Sequence, residues 1–159
     1  MLLPTLEEVQ RLTPGWFDEV RSEGTNRGST YRVFQGWHKV AGSPSKEVAN
    51  VLLNVTIRPR PEPPAAWGPA VWREAFDEKQ RLLGRIPDLQ AKETDLGDFA
   101  FIVTKSGGSH SEVTFYTEEL MVTVHNGAEE LRLSYPAEAE ALKIARWMAS
   151  RLLHRAHER

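Results

Sequence analysis

The sequence predicts a single α+β domain spanning residues 1–159, with an antiparallel sheet of five or six strands, two larger helices packed on it and a short N-terminal helix. Three observations carry that expectation. Leu96 to Gly127 holds three closely spaced strand signals, Phe99 to Lys105, Glu112 to Thr117 and Leu120 to Asn126. Thr30 to Val40 and Val48 to Ile57 alternate with the period of a strand. Apolar residues after Pro69 and again after Pro136 recur at helical spacing instead.

The central pair of strands fixes its own register. Between Tyr116 and Met121 the connection forces a tight hairpin, whether Glu118 and Glu119 alone or all four residues from Thr117 to Leu120 form the loop. Either way Phe115 faces Val122 and Val113 faces Val124 on one side. Thr114 faces Thr123 and Glu112 faces His125 on the other. One face is oily and one mostly polar. For the preceding strand the loop Ser106 to Ser109 leaves two registers open. A two-residue turn sends Phe101 and Val103 to the His125 face, and one residue more sends them to the Phe115 face.

In chain order, Thr5 and Glu8 form a capping box that starts a helix over Leu6 to Leu12, with Leu3 and Val9 as its staple, and Thr13-Pro14-Gly15 stops it. Trp16 to Ser29, with Gly24, Asn26 and Gly28, reads as an irregular excursion or a turn before the first strand. The strands Thr30 to Val40 and Val48 to Ile57 follow as a hairpin around Gly42-Ser43-Pro44-Ser45, the second placing Val51, Leu53, Val55 and Ile57 on one face. Arg58 to Pro64 is proline-rich and excluded from a sheet interior, which makes it a stiff extended crossover. Pro69 opens a helix bearing Trp72, Ala75, Phe76, Leu82 and Leu83, and Gly84 ends it. Ile86 to Asp95 is a link. After an Asn126-Gly127 turn, Leu131 to Tyr135 is a candidate last strand. Pro136 then starts a final helix with Leu142, Ala145, Ala149 and Leu152 as its stripe.

Composition narrows the function classes. A net charge of −2 supplies no general attraction to nucleic acid or to an anionic membrane, so neither is an expected partner. The absence of cysteine removes disulfides, thiolate metal sites and cysteine nucleophiles. No apolar run approaches the roughly 20 residues of a spanning helix, so no membrane insertion is expected. Met1 to Leu12 has Glu7 and Glu8 where a signal peptide would be apolar. The location expected from the sequence as it stands is cytoplasmic, or extracytoplasmic if an export segment has been removed.

Glu112 beside His125 is the most specific polar constellation. A carboxylate next to an imidazole can act as an acid/base pair or supply two metal ligands, with Tyr116 as a hydrogen-bond donor. No third ligand stands at a recognisable spacing, so a solvated charge pair is the simpler reading and no metal or cofactor is expected. His110, in the Gly107-Gly108 loop, can swing toward that pair. Trp67 and Trp72 bracket a helix start and, with Phe101 and Met121, are the candidate contacts for a small apolar ligand, against the ordinary alternative of core packing. The motifs of phosphate loops, hydrolase elbows, zinc proteases and calcium loops are missing.

Leu2-Leu3-Pro4-Thr5-Leu6-Glu7-Glu8-Val9, Leu96 to Phe101, Leu120 to Val124, and Ala141 to Arg146 with Ala149 to Leu153, together resemble the small extracytoplasmic sensor or ligand-binding domains of actinobacterial lipoproteins and receptor kinases. The resemblance implies helices on a curved antiparallel sheet, a non-enzymatic role and a cleft for a ligand. The leading expectation is a binding or interaction module for a small molecule or protein, with a homodimer as one form. A small enzyme using Glu112 and His125 is the first alternative. The second is a stoichiometric inhibitor or immunity-type protein that makes contact through Glu118-Glu119 and Glu129-Glu130.

Overall fold

Helix α1 (Leu6–Leu12) precedes strands β1 (Glu19–Asn26), β2 (Ser29–Lys39) and β3 (Val48–Pro59). Helix α2 (Pro69–Leu83) leads to β4 (Leu89–Thr94), β5 (Phe99–Lys105), β6 (His110–Tyr116) and β7 (Leu120–Ala128), and α3 (Ala137–His157) closes the chain. All seven strands form one antiparallel sheet in the order β1-β2-β3-β7-β6-β5-β4, so two meanders meet where β3 pairs with β7. The computed structural model describes residues 2–40, 42, 47–62 and 65–157, with side chains as far as 152. Most of the expected Gly42 to Ser45 turn, Pro63-Pro64 and the side chains beyond 152 lie outside the described residues.

The β6–β7 pairing is the one the hairpin argument requires. Tyr116 faces Met121, Phe115 faces Val122, Val113 faces Val124 and Glu112 faces His125. Because period-2 alternation puts every second side chain on one face, Val113, Phe115, Val122 and Val124 are all fully buried together with Val51, Leu53 and Val55 of β3. Helix α3 covers this face with Ala141, Ile144, Ala145, Met148 and Ala149, and Leu3 and Val9 extend the same core beneath α1. Thr5 caps α1 by accepting from the Glu8 amide at 3.1 Å.

The opposite face is covered over only half its width. Phe101 faces Thr114 and Val103 faces Glu112, which resolves the β5 register in favour of the His125 side. There Trp72 and Phe76 of α2 pack on Phe101, Val103 and Tyr116 as a second, smaller core. The helix packs on β4 and β5 and leaves the same face of β2 and β3 uncovered.

Three expectations change. The sheet has seven strands: β1 is an edge exposed along nearly its whole length, and β4, the other edge, buries none of its residues even beneath α2, so neither shows a clean apolar alternation. Asn126-Gly127 is not a turn. Both residues belong to β7, where Asn126 is buried by side-chain hydrogen bonds and Gly127 makes room for the His110 ring, which a Cβ would meet at 2.2 Å. Leu131 to Tyr135 is not a strand either, since Leu131–Leu133 is a short 3-10 turn whose Ser134 takes a left-handed φ of 53°. The β1–β2 hairpin turns at Arg27 and Gly28, with φ of 51° and 82°. Positive φ at both positions gives the twist a two-residue hairpin needs, at about 1–2 kcal/mol for a residue with a side chain.

Candidate functional site

The sheet registers place one continuous row of residues across the half-covered face. Val33 on β2 faces Asn54, Asn54 faces His125, His125 faces Glu112, and Glu112 faces Val103. The next row runs from Tyr31 through Thr56, Thr123 and Thr114 to Phe101. Each row begins on open sheet and ends beneath α2.

Glu112 and His125 stand at an open cleft of about 310 Å³ between the sheet and the C-terminal half of α2, which Lys79, Leu83 and His110 also line. The Glu112 carboxylate has an ion partner, Lys79 Nζ at 3.6 Å, with the two side chains 31% and 36% exposed. Such a wet pair is worth at most about 1 kcal/mol. His125 is exposed. His110 is no loop residue. It opens β6 opposite Gly127 and shares a hydrogen bond with Ser109 Oγ through Nδ1 at 2.9 Å. Burial depresses its pKa below the ordinary 6.5, and the charges of Lys105 and His125 lower it further.

Tyr116, the candidate hydrogen-bond donor, is only 5% exposed and stacks on Trp72 at 5.6 Å and 19°. Burial raises its pKa, and the Glu112 charge adds to the rise. Tyr116 lies four positions along the strand from Glu112, about 13 Å at the usual rise. The two do not converge on one small reacting centre.

The structure brings Trp67, Trp72, Phe101 and Met121 together, but in packing. Trp72 and Phe101 are 2% and 4% exposed, Trp67 lies edge-on to both Trp72 and Tyr116, and the Trp67 indole N–H donates to the Thr117 carbonyl at 2.9 Å. Arg73 lies over the Phe99 ring at 5.0 Å and makes two hydrogen bonds to Glu93. These residues fasten α2 to the sheet. Trp72 Nε1 is buried without a partner among the described residues.

Two features escaped the sequence reading. A buried polar network crosses the far end of the main core. Ser111 donates to Asn126 Oδ1 at 2.5 Å, and Asn126 Nδ2 donates to the Tyr135 hydroxyl at 2.8 Å and the Ala137 carbonyl at 2.9 Å. The second feature is an open groove of about 530 Å³ on the uncovered strands, lined by Arg27, Ser29, Tyr31, Asn54, Thr56 and Arg58 among others. The alternation of Asn54, Thr56 and Arg58 along β3 was its one legible sign. No family model, curated protein or solved structure matches the chain. The site is therefore defined by its own geometry.

Among the described residues, no group of three or more histidines and acids is placed to hold a metal ion, and no helix is long and apolar enough to cross a membrane. Of the acidic loops, Glu118 and Glu119 are exposed at the tip of the β6–β7 hairpin. Glu129 and Glu130 are engaged within the chain: Glu129 accepts from the Asn50 amide at 3.0 Å, and Glu130 pairs with Arg132 at 3.1 Å.

Proposed function

We propose that this chain is a non-catalytic binding module that takes a small molecule on the uncovered half of its sheet. The observation that carries the reading is the mismatch between a seven-stranded sheet and a helix that shields only its β4–β6 side on one face. A face left open beside a rigid wall is the ordinary geometry of a ligand site. The wide groove over β2 and β3 lies on this half, continuous with the Asn54–His125–Glu112 row.

Three further points favour binding over catalysis. The Glu112 carboxylate is engaged by Lys79, His125 faces solvent, and the Tyr116 ring is stacked in a filled aromatic cluster. An acid/base pair in an open cleft is not closed off from water with a substrate, as catalytic pairs commonly are. The resemblance of the opening and closing segments to sensor-type domains points the same way and belongs to this proposal.

Native mass spectrometry of the purified protein tests the reading, and the same spectrum reports the number of subunits. The expected result is an added small-molecule mass that is lost on denaturation. It is overturned if the protein carries no added mass and a panel of small fragments shifts no backbone amide of β2, β3 or β7 in NMR.

A further inference from the structure

Resting on the binding-module reading, we infer that the groove over β2 and β3 is an oxyanion site, built to take the phosphate or carboxylate group of a small molecule. The strand pairing assembles it from distant parts of the chain. Tyr31 faces Thr56, Asn26 faces Ser29 across the β1–β2 turn, and Arg58 follows Thr56 at the next outward position of β3. Arg27 stands at the turn itself, so two guanidiniums line the groove.

The chemistry of the lining is one-sided. Its polar side chains are two guanidiniums, two carboxamides and three hydroxyls, of which only the Thr56 proton is already given within the groove, with no carboxylate among them. On a chain carrying a net charge of −2, such a lining selects anions locally. Neither Arg27 nor Arg58 makes an ion pair with any described residue, whereas Arg32 on the opposite face of the same hairpin is tied to Glu23 and to the Pro4 carbonyl. The Thr56 hydroxyl donates to Asn54 Oδ1 at 3.2 Å, which occupies that acceptor and leaves the Asn54 NH2 group for a ligand. The floor is fitted too. The Tyr31 hydroxyl lies against Gly24 of β1, where a Cβ would stand only 3.3 Å away. Planar, forked guanidiniums suit the paired oxygens of phosphate and carboxylate, which is the recognition this arrangement offers.

NMR titration of the full chain tests the assignment with inorganic phosphate, acetate and a neutral sugar, each at matched chloride concentration. Phosphate or acetate is expected to shift the amides of Ser29, Asn54 and Thr56 saturably, and whichever binds more tightly names the group. Arg58→Gln together with Arg27→Asn, which suits the left-handed turn, should weaken that binding at least tenfold, whereas Arg81→Gln, on the exposed side of α2, should not. Three results overturn the assignment: shifts reproduced by chloride alone, shifts undiminished in the double variant, or saturation by the neutral sugar and not by the anions. The last of these leaves the binding-module reading standing. That reading falls separately, if native mass spectrometry finds no added mass and no fragment shifts an amide on this face. A short oligonucleotide binding more tightly than both small anions would assign the groove to a polymer and overturn the small-molecule form.

Discussion

Asn126 holds Tyr135 at the end of the main core: its amide nitrogen donates to the tyrosine hydroxyl at 2.8 Å, with both residues 4% exposed or less. The same carboxamide accepts from Ser111 and donates to the Ala137 carbonyl, so one side chain ties β6, β7 and the start of α3 together. Asn126→Leu leaves the Ser111 and Tyr135 hydroxyls and the Ala137 carbonyl facing a methyl group. The expected loss is about 3 kcal/mol, against about 1 kcal/mol for Tyr135→Phe. Urea melts of the two variants check the ratio.

Gly127 faces His110, whose ring lies where a β-carbon would be. Gly127→Ala should destabilise by about 1–3 kcal/mol through overpacking. His110→Ala should restore most of that loss in the double variant, although it stabilises nothing by itself. A double-mutant cycle by thermal melting reads the coupling directly.

Gly36 presents a harder collision, with the Trp16 carbonyl oxygen 1.7 Å from its absent β-carbon. Backbone cannot rotate aside as a ring can. Gly36→Ala should therefore cost about 3 kcal/mol and release Trp16 from the His38 ring, 5.0 Å away in the native packing. Tryptophan fluorescence and melting temperature report the two effects.

Phe115 is fully buried and His125 is exposed, although they lie on adjacent strands. Phe115→Ala should cost about 3–5 kcal/mol, and His125→Ala should stay within about 1 kcal/mol of the parent. Equal losses in urea would contradict the assignment of faces.

Stability should fall at both ends of the pH range. Burial holds the Tyr135 hydroxyl well above the ordinary 10.0, so the folded state keeps a proton that the unfolded state gives up. Its contribution is complete below about pH 10 and is lost as pH rises toward the folded value. His110 behaves oppositely: its depressed pKa makes its contribution complete above about 6.5 and lost as pH falls through the folded value. Tyr135→Phe should flatten the alkaline limb of a urea-midpoint profile, and His110→Gln the acid limb.

The main core was legible because Val113, Phe115, Val122 and Val124 alternate cleanly and a short turn leaves them a single register. The β5 strand was not, since apolar residues on both its faces suit either turn length. Edge strands β1 and β4 bury too little to leave a pattern. Asn126-Gly127 carries the strongest local turn signal in the chain, yet a buried carboxamide network overrides it. The groove was hidden for another reason. Arg27 and Arg58 share no local pattern, and only the β1–β2 turn and the β2–β3 pairing together bring them to one groove.

The join between β3 and β7 carries a cost during synthesis. On the ribosome, β3 emerges long before its second neighbour, and until β7 is made Val51, Leu53 and Val55 line a strand with a bare hydrogen-bonding edge. The first three strands must wait, sticky and incomplete, for the last quarter of the chain. A nascent protein stalled between α2 and β6 is thus the species most exposed to clumping or to capture by a chaperone.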